Sequence, residues 1–156
     1  MNVQQKNKEK GFTIIEVVLV LAIAGLIFLM VFIALPALQR GQRDTQRKQD
    51  LSRAQTKIND YQSNNRNSLP TNWSEFATKY LRTGTDTFVD PSGEDYAFSP
   101  LAGNAVVPDD FEATQGRIYY TTSATCGNDG AATSAGARKV ALRMKLEGGG
   151  VACVNN

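Results

Sequence analysis

Hydrophobic residues are concentrated in one stretch near the N-terminus. From Phe12 to Leu38, 23 of 27 residues are hydrophobic, and no charged residue occurs between Glu16 and Arg40. As a helix, the 22 residues 17–38 would extend about 33 Å, whereas the hydrocarbon core of a bilayer is about 30 Å thick. The pattern therefore predicts a transmembrane helix over this stretch.

The polar sequence that follows stays compatible with a helix to about residue 65. Its apolar residues recur at intervals of three and four, which places Leu51, Ala54, Ile58 and Tyr61 on one face. A run rich in Asn and Ser, closed by Pro70, then supplies turn chemistry. We therefore expect residues 39–65 to be an amphipathic continuation of the helix.

Residues 66–156 have the pattern of a small globular domain. A short helix is predicted over 74–81, and strand-like segments follow at 87–89, 96–98, 117–122, 139–146 and 151–154. The segment 139–146 alternates most regularly, and the connections are rich in Gly, Ser, Asn and Asp. The expected fold class is α+β, with a small antiparallel sheet packed on the second half of the long helix.

Composition removes most catalytic classes. The chain has no histidine and only two cysteines, which excludes His-based acid–base chemistry, Ser-His-Asp triads and His-ligated zinc. The sequence contains no nucleophile motif, and it contains no Gly-rich phosphate-binding loop followed by a helix. We therefore expect neither an enzyme nor a cofactor or metal site, and the formal charge of +2 does not favour nucleic acid as a partner.

The charged residues that flank the apolar stretch are compatible with two kinds of segment, a removed secretory signal and a signal anchor. Lys6, Lys8 and Lys10 form a basic flank, as in both classes. The apolar run is too long for a removed signal, and it continues into Arg40 without a small-residue cleavage site. Because further arginines follow Arg40, charge does not settle the orientation.

The junction Lys10-Gly11-Phe12-Thr13-Ile14-Ile15-Glu16 favours a third class. Placing a carboxylate within a transmembrane helix costs free energy, so such a residue is by default interpreted as functional. Alternatively, the Glu16 carboxylate lies at the level of the lipid headgroups. The charged leader ending in Gly11, the Phe12 that follows and the Glu at the fifth position after the junction resemble the type IV prepilin family. The resemblance is close over about the first 40 residues.

This resemblance implies a cleaved leader, residues 1–11, and a filament-core helix, residues 12–38. A membrane prepilin peptidase would cut between Gly11 and Phe12, and the new Phe12 amine would be N-methylated. Glu16 would pair with the Phe12 amine of a neighbouring subunit. Assembly into a helical homo-oligomer would need an assembly ATPase and a membrane platform protein.

Gly25 and Pro36 interrupt the helix-forming chemistry of the apolar segment. Proline removes a helical hydrogen bond and glycine is a weak helix former. By resemblance to related filaments, the helix would lose order between these two residues. An ordinary proline kink in a membrane helix is the alternative.

Charged residues of the polar part have two interpretations. The basic stripe from Arg40 to Arg53 could contact phosphates, but pairs such as Arg40–Asp44 and Arg47–Asp50 favour a solvated helix face. The turn from Asp90 to Asp95 resembles one in major pseudopilins, some of which bind calcium. We predict a hairpin turn with solvated acids there, since no EF-hand pattern is present.

Cys126 and Cys153 are the two cysteines, and the chain between them is rich in Gly and Ala. Outside the cytoplasm a disulfide is the natural expectation, with buried free thiols as the alternative. Neither lies in a C-x-x-C pattern.

The function implied is that of a structural type IV pilus subunit, held as a single-pass protein in the cytoplasmic membrane and then exposed on the cell surface. Adhesion and motility are among the roles such filaments have. The alternatives are a pseudopilin of a secretion or DNA-uptake machine and, in another class, an anchored extracytoplasmic binding or sensor domain. Cleavage would remove three lysines and Glu9, so the mature side chains would carry no net charge.

Overall fold

The computed structural model describes residues 11–85, 87–103 and 105–156, so Asp86, Asn104 and residues 1–10 of the predicted leader lie outside the described residues. The chain divides into two compact units, Met1–Leu38 and Gln39–Asn156. We refer to the second unit as the head. Helix α1, Ile14–Asn64, has 51 residues and continues through Gly25 and Pro36. It is long and apolar enough near the N-terminus to cross a membrane.

The main sheet of the head has four strands in the order β1-β2-β5-β6. They are β1 (Ala97–Pro100), β2 (Arg117–Thr122), β5 (Val140–Lys145) and β6 (Val151–Asn155). Strand β2 pairs antiparallel with β5, and β5 with β6, whereas β1 and β2 are parallel. The α+β class is confirmed, and the sheet is mixed.

A second sheet consists of the antiparallel strands β3 (Ala124–Cys126) and β4 (Ala132–Ser134). A 3-10 turn, Asn128–Gly130, lies between them. A disulfide joins Cys126 at the end of β3 to Cys153 in β6, with a Cα–Cα distance of 5.8 Å. This bond ties the small sheet to the last strand of the main sheet.

The core of the head lies between α1 and the main sheet. Leu51, Ala54 and Ile58, which the helical spacing predicts on one face, are fully buried. They join a cluster that includes Ile118 of β2 and Leu142 of β5. The alternation of apolar residues in β5 and the periodicity of α1 thus meet in one core.

Aromatic residues close one side of this core. Helix α2, Trp73–Phe76, is capped by Asn72, whose side chain accepts a hydrogen bond from the Glu75 amide, and it continues into a π-helical turn, Ala77–Leu81. Trp73 stacks on Tyr120 of β2 with a centroid distance of 4.1 Å. The packing fixes this short helical segment against the sheet.

The structure adds elements that local pattern does not indicate. Helix α3, Phe111–Thr114, and strands β3 and β4 are short and lie in segments of weak periodicity. The predicted strand at 87–89 is reduced to an isolated bridge between Val89 and Asp95. The prediction of a full strand there was wrong because this hairpin pairs at only one position.

Candidate functional site

The first turn of α1 holds the carboxylate of Glu16. The backbone amide and hydroxyl of Thr13 donate to Glu16 Oε2 at 2.8 and 2.7 Å, and the Glu16 amide is 3.4 Å from Thr13 Oγ1. This reciprocal arrangement is a capping box of the Thr-x-x-Glu type, which satisfies donors at a helix start. Because Thr13 follows Phe12, a cut between Gly11 and Phe12 would leave these bonds intact.

An apolar surface surrounds this carboxylate. Glu16 lies beside Phe12, Val17, Val20 and Leu21, which form a shallow groove with it. From Gly11 to Leu38 every residue is exposed except the half-buried Ala24, and the Phe12 side chain is 88% exposed. A continuous exposed apolar helix is unsuited to water, so this segment requires lipid or other apolar helices around it.

Gly25 and Pro36 both lie within the helical part of this exposed segment. A Cβ atom added at Gly25 would meet no other atom within 4 Å. Close packing inside the described chain therefore does not account for a glycine at this position.

A buried ion-pair network holds the head together where α1 enters it. Arg47 donates from Nε and Nη2 to the two oxygens of Asp90 at 2.7 and 2.9 Å, and from Nη1 to Asp44 at 2.9 Å. Glu147 accepts from Arg43 at 2.5 and 2.8 Å and lies 3.3 Å from Arg47. We call these residues, Arg43, Asp44, Arg47, Asp90 and Glu147, the Arg47 cluster.

Asp44 connects the cluster to the turn between β5 and β6. Its carboxylate accepts hydrogen bonds from the backbone amides of Glu147 and Gly148 at 2.9 and 2.7 Å. The Arg47 cluster therefore joins three distant segments: α1, the hairpin after Asp90 and the β5–β6 turn.

The charges of the cluster stabilise one another. Hydrogen bonds from Arg43 lower the pKa of Glu147 to about 2, with a further contribution from Arg47. Burial alone would raise the pKa of Asp90, but hydrogen bonds from Arg47 and Ser92 hold it below its ordinary value. Both carboxylates are consequently ionised at neutral pH, as an ion-pair network requires.

Two predictions about these charges are wrong. Asp90 is 1% exposed rather than solvated, because Arg47 reaches it from α1; the turn itself is present, with the Gly93 amide 2.8 Å from the Asp90 carbonyl oxygen. Arg47 pairs with Asp44 and Asp90 instead of Asp50, whose carboxylate lies 3.6 Å from Arg53. Within the described part of the chain, no group of three or more acidic, His or Cys side chains is arranged to hold a metal ion.

A second buried cation lies in β5. Arg143 is 1% exposed and donates to the carbonyl oxygen of Ala105 and the hydroxyl of Thr121, each at 2.8 Å. Burial lowers its pKa. The contacts fix the loop between β1 and β2 to the sheet, which is a structural role.

One comparison with known proteins gives a match, and it lies in the N-terminal segment. Residues 6–32 match the family model described as the prokaryotic N-terminal methylation motif, which is the type IV prepilin signature. Searches of curated proteins and of solved structures found no significant match.

The chain carries the type IV prepilin signature in residues 6–32. The exposed apolar helix and the disulfide-bonded α+β head are consistent with a pilin fold, of either the pilus or the pseudopilin kind. The motif implies processing by a peptidase and assembly into pilus-type filaments from a membrane-anchored form.

The predicted site residues lie in three places. Gly11 and Phe12 directly precede α1, and Glu16 lies in its first turn. Gly25 and Pro36 lie further along α1, whereas Cys126 and Cys153 form the disulfide of the head. Thr13 was overlooked, although the Thr-x-x-Glu spacing signals a capping box. The Arg47 cluster has no local signal, since its members are up to 104 residues apart.

Proposed function

We propose that this protein is a structural subunit of a type IV pilus, cleaved between Gly11 and Phe12, N-methylated at Phe12 and polymerised through residues 12–38. The observation that carries the proposal is the match of the methylation motif to a segment whose apolar side chains are exposed. Exposed apolar helices leaving lipid for a filament core would keep their surfaces out of water.

Glu16 is the residue that sets the position of each subunit. Thr13 holds its Oε2 atom, and no side chain or amide of the described residues donates to Oε1. The ammonium group created at Phe12 of a neighbouring subunit is a suitable partner, because a carboxylate in an apolar environment needs a cation or a donor.

The test is Glu16→Ala, with Glu75→Ala, an exposed carboxylate of the head, as the control. Glu16→Ala is expected to allow cleavage, seen as normal mature mass, and to abolish filaments in electron micrographs. Normal filament numbers in this variant would refute the role of Glu16.

Gly25 and Pro36 allow the helix to lose order when the subunit enters the filament. The support is chemical: Pro36 lacks an amide donor, and Gly25 has the weakest helix propensity after proline. A density map of the filament is expected to lack regular helix between these residues. Continuous helical density through both would show that Pro36 is tolerated as an ordinary kink residue.

The partners of this process are a prepilin peptidase, an assembly ATPase and a membrane platform protein. The single-pass form would wait in the cytoplasmic membrane, and the assembled form would be extracellular. Co-purification of the detergent-solubilised protein with the platform protein, lost on deletion of residues 12–38, would support this assignment.

A pseudopilin is the second candidate. It is favoured by the Asp90-Pro91-Ser92-Gly93 turn, which resembles a turn of major pseudopilins and closes with a hydrogen bond from Gly93 to Asp90. Surface filaments made mainly of this chain would identify a pilus subunit. Loss of secretion or DNA uptake without such filaments would identify a pseudopilin.

A further inference from the structure

Exposed charges of the head differ in sign between the two ends of its part of α1. We call Asp109, Asp110 and Glu112 the acidic end, and Arg66, Arg138 and Lys139 the basic end. All six side chains belong to exposed residues. Arg43 and Gln62, which mark the two ends, are 19 residues apart, which corresponds to about 29 Å along a helix.

Contacts within the head place the acidic end beside the Arg47 cluster. Glu112 borders the same cavity as Arg43 and Glu147. Asp110 caps helix α3 by accepting a hydrogen bond from the Ala113 amide, and Asp109 contacts Lys145. In the described part of the chain, no cation pairs with Glu112, so its charge is available to a partner.

The cations near the acidic end are largely neutralised by their own acids. Arg47 forms ion pairs with Asp90 and Asp44, and Arg43 forms one with Glu147. Arg40, which is 59% exposed, lies 3.7 Å from the same Glu147. Asp109 is likewise paired with Lys145, so the negative charge that remains on the surface around α3 is that of Asp110 and Glu112.

The basic end lies beside the last turns of α1. The Gln62 side-chain amide donates to the carbonyl oxygen of Arg138 at 2.8 Å, and Arg66 borders a shallow pocket with Gln62. Lys139 Nζ donates to the Asn156 carbonyl oxygen at 2.8 Å. Within the described residues, no carboxylate pairs with Arg66 or Arg138, and both guanidinium groups are available to a partner.

We infer that the acidic end of one subunit binds the basic end of the next subunit in the filament. The inference rests on the proposed function, because a helical filament relates its copies by rotation and translation. Each contact is then heterologous: one surface meets a different surface of the neighbour. Opposite charges on two separate surfaces of one head meet this requirement and also select the register of the contact.

The partner is a second copy of this chain. After cleavage the side chains carry no net charge, so copies do not repel one another as whole molecules. Complementary local charges on a neutral molecule favour self-association over binding to a uniformly charged surface.

Charge reversal with rescue tests the contact in cells that assemble the full chain. The variants are Glu112→Lys, the pair Arg66→Glu/Arg138→Glu, and the combination of all three. Asp110 is kept because it caps α3. Each reversed end is expected to lower filament yield about tenfold, and the combination to restore it to within about twofold of wild type.

Lys57→Glu, at a half-buried residue of α1 between the two ends, is the matched control and is expected to leave filament yield unchanged. Immunoblots of processed subunit and the unfolding midpoint of each full-length variant separate an assembly defect from a folding defect.

The outcomes distinguish this inference from the proposed function. Wild-type cells without any filaments, despite processed subunit, would contradict the proposed function itself. Wild-type filaments together with unaffected single-end variants, or with a combination that fails to restore yield, would overturn the charge contact and leave the pilus assignment standing.

Discussion

The guanidinium of Arg47 compensates carboxylates from three segments, so its removal should leave buried charge without a partner. Arg47→Met is expected to destabilise the head by about 3–5 kcal/mol, because breaking a buried pair costs far more than an exposed one. Trp73, the one tryptophan, is buried in the head, and its fluorescence during urea unfolding in detergent reports the change.

Arg40→Met is the control for this experiment. The Arg40 side chain is 59% exposed, and its contact with Glu147 is long, at 3.7 Å. Its loss should therefore change the free energy of unfolding by less than about 1 kcal/mol. Equal effects of the two substitutions would show that the Arg47 cluster does not stabilise the head.

The low pKa of Glu147 makes the stability of the head depend on pH. Because the pKa falls from 4.5 to about 2 on folding, the stabilisation is complete above pH 4.5 and is lost as the pH falls toward 2. Asp90 contributes in the same direction. Urea unfolding between pH 7 and pH 2.5 should show this loss.

Glu147→Gln should reduce the slope of stability against pH in the acidic range. It removes the titrating group while keeping a hydrogen-bond acceptor for Arg43. An unchanged slope would assign the acid sensitivity to other carboxylates.

Gly130 occupies a position that other residues cannot adopt without strain. Its φ is +74°, and an added Cβ atom would lie 2.7 Å from Val151 Cβ. Gly130→Ala should therefore lower the free energy of unfolding by about 1–3 kcal/mol. Gly136→Ala, where a Cβ meets nothing within 4 Å, is expected to be neutral, and a neutral Gly130→Ala would contradict the tight contact.

Individual residues of the head were the least predictable from sequence. The Asp90 turn looks like an ordinary surface turn, since nothing near it reveals that Arg47, 43 residues earlier, buries its carboxylate. The Thr13–Glu16 pair, in contrast, is local and could have been predicted from spacing alone.

At the scale of the elements, the disulfide joins β3 to β6, the last strand of the chain. Cys126 and Cys153 are 27 residues apart, and closing a loop of this length stabilises by about 3–4 kcal/mol in the chain-entropy account. Cys126→Ala/Cys153→Ala should lower the free energy of unfolding by about that amount. A loss below about 1 kcal/mol, or no response of wild type to reductant, would contradict this contribution.

Helix α1 and strands β2 and β5 were predictable because their apolar residues follow a regular period. Residues 117–122 form β2 as predicted, and the 51–54–58 face of α1 is buried. The parallel pairing of β1 with β2 was not predictable. Direction depends on the intervening chain, which contains the short helix α3, and strand periodicity carries no information about it.

At the scale of the whole molecule, the chain combines two segments that require different environments. The segment 12–38 needs an apolar environment, whereas the head is held by a core, a disulfide and the Arg47 cluster. Hydropathy alone predicts this division, because residues 12–38 are almost entirely hydrophobic, whereas the sequence of the head is mainly polar. The charge difference between the two ends of the head needed the fold, since Arg66 and Arg138 are distant in sequence.

The most direct test of the account is the N-terminus of the protein in filaments sheared from the cell surface. Mass analysis of the purified filaments should find a chain that begins at Phe12 and carries one methyl group on its amine. A chain that retains Met1, or that begins elsewhere than Phe12, would contradict the prepilin account.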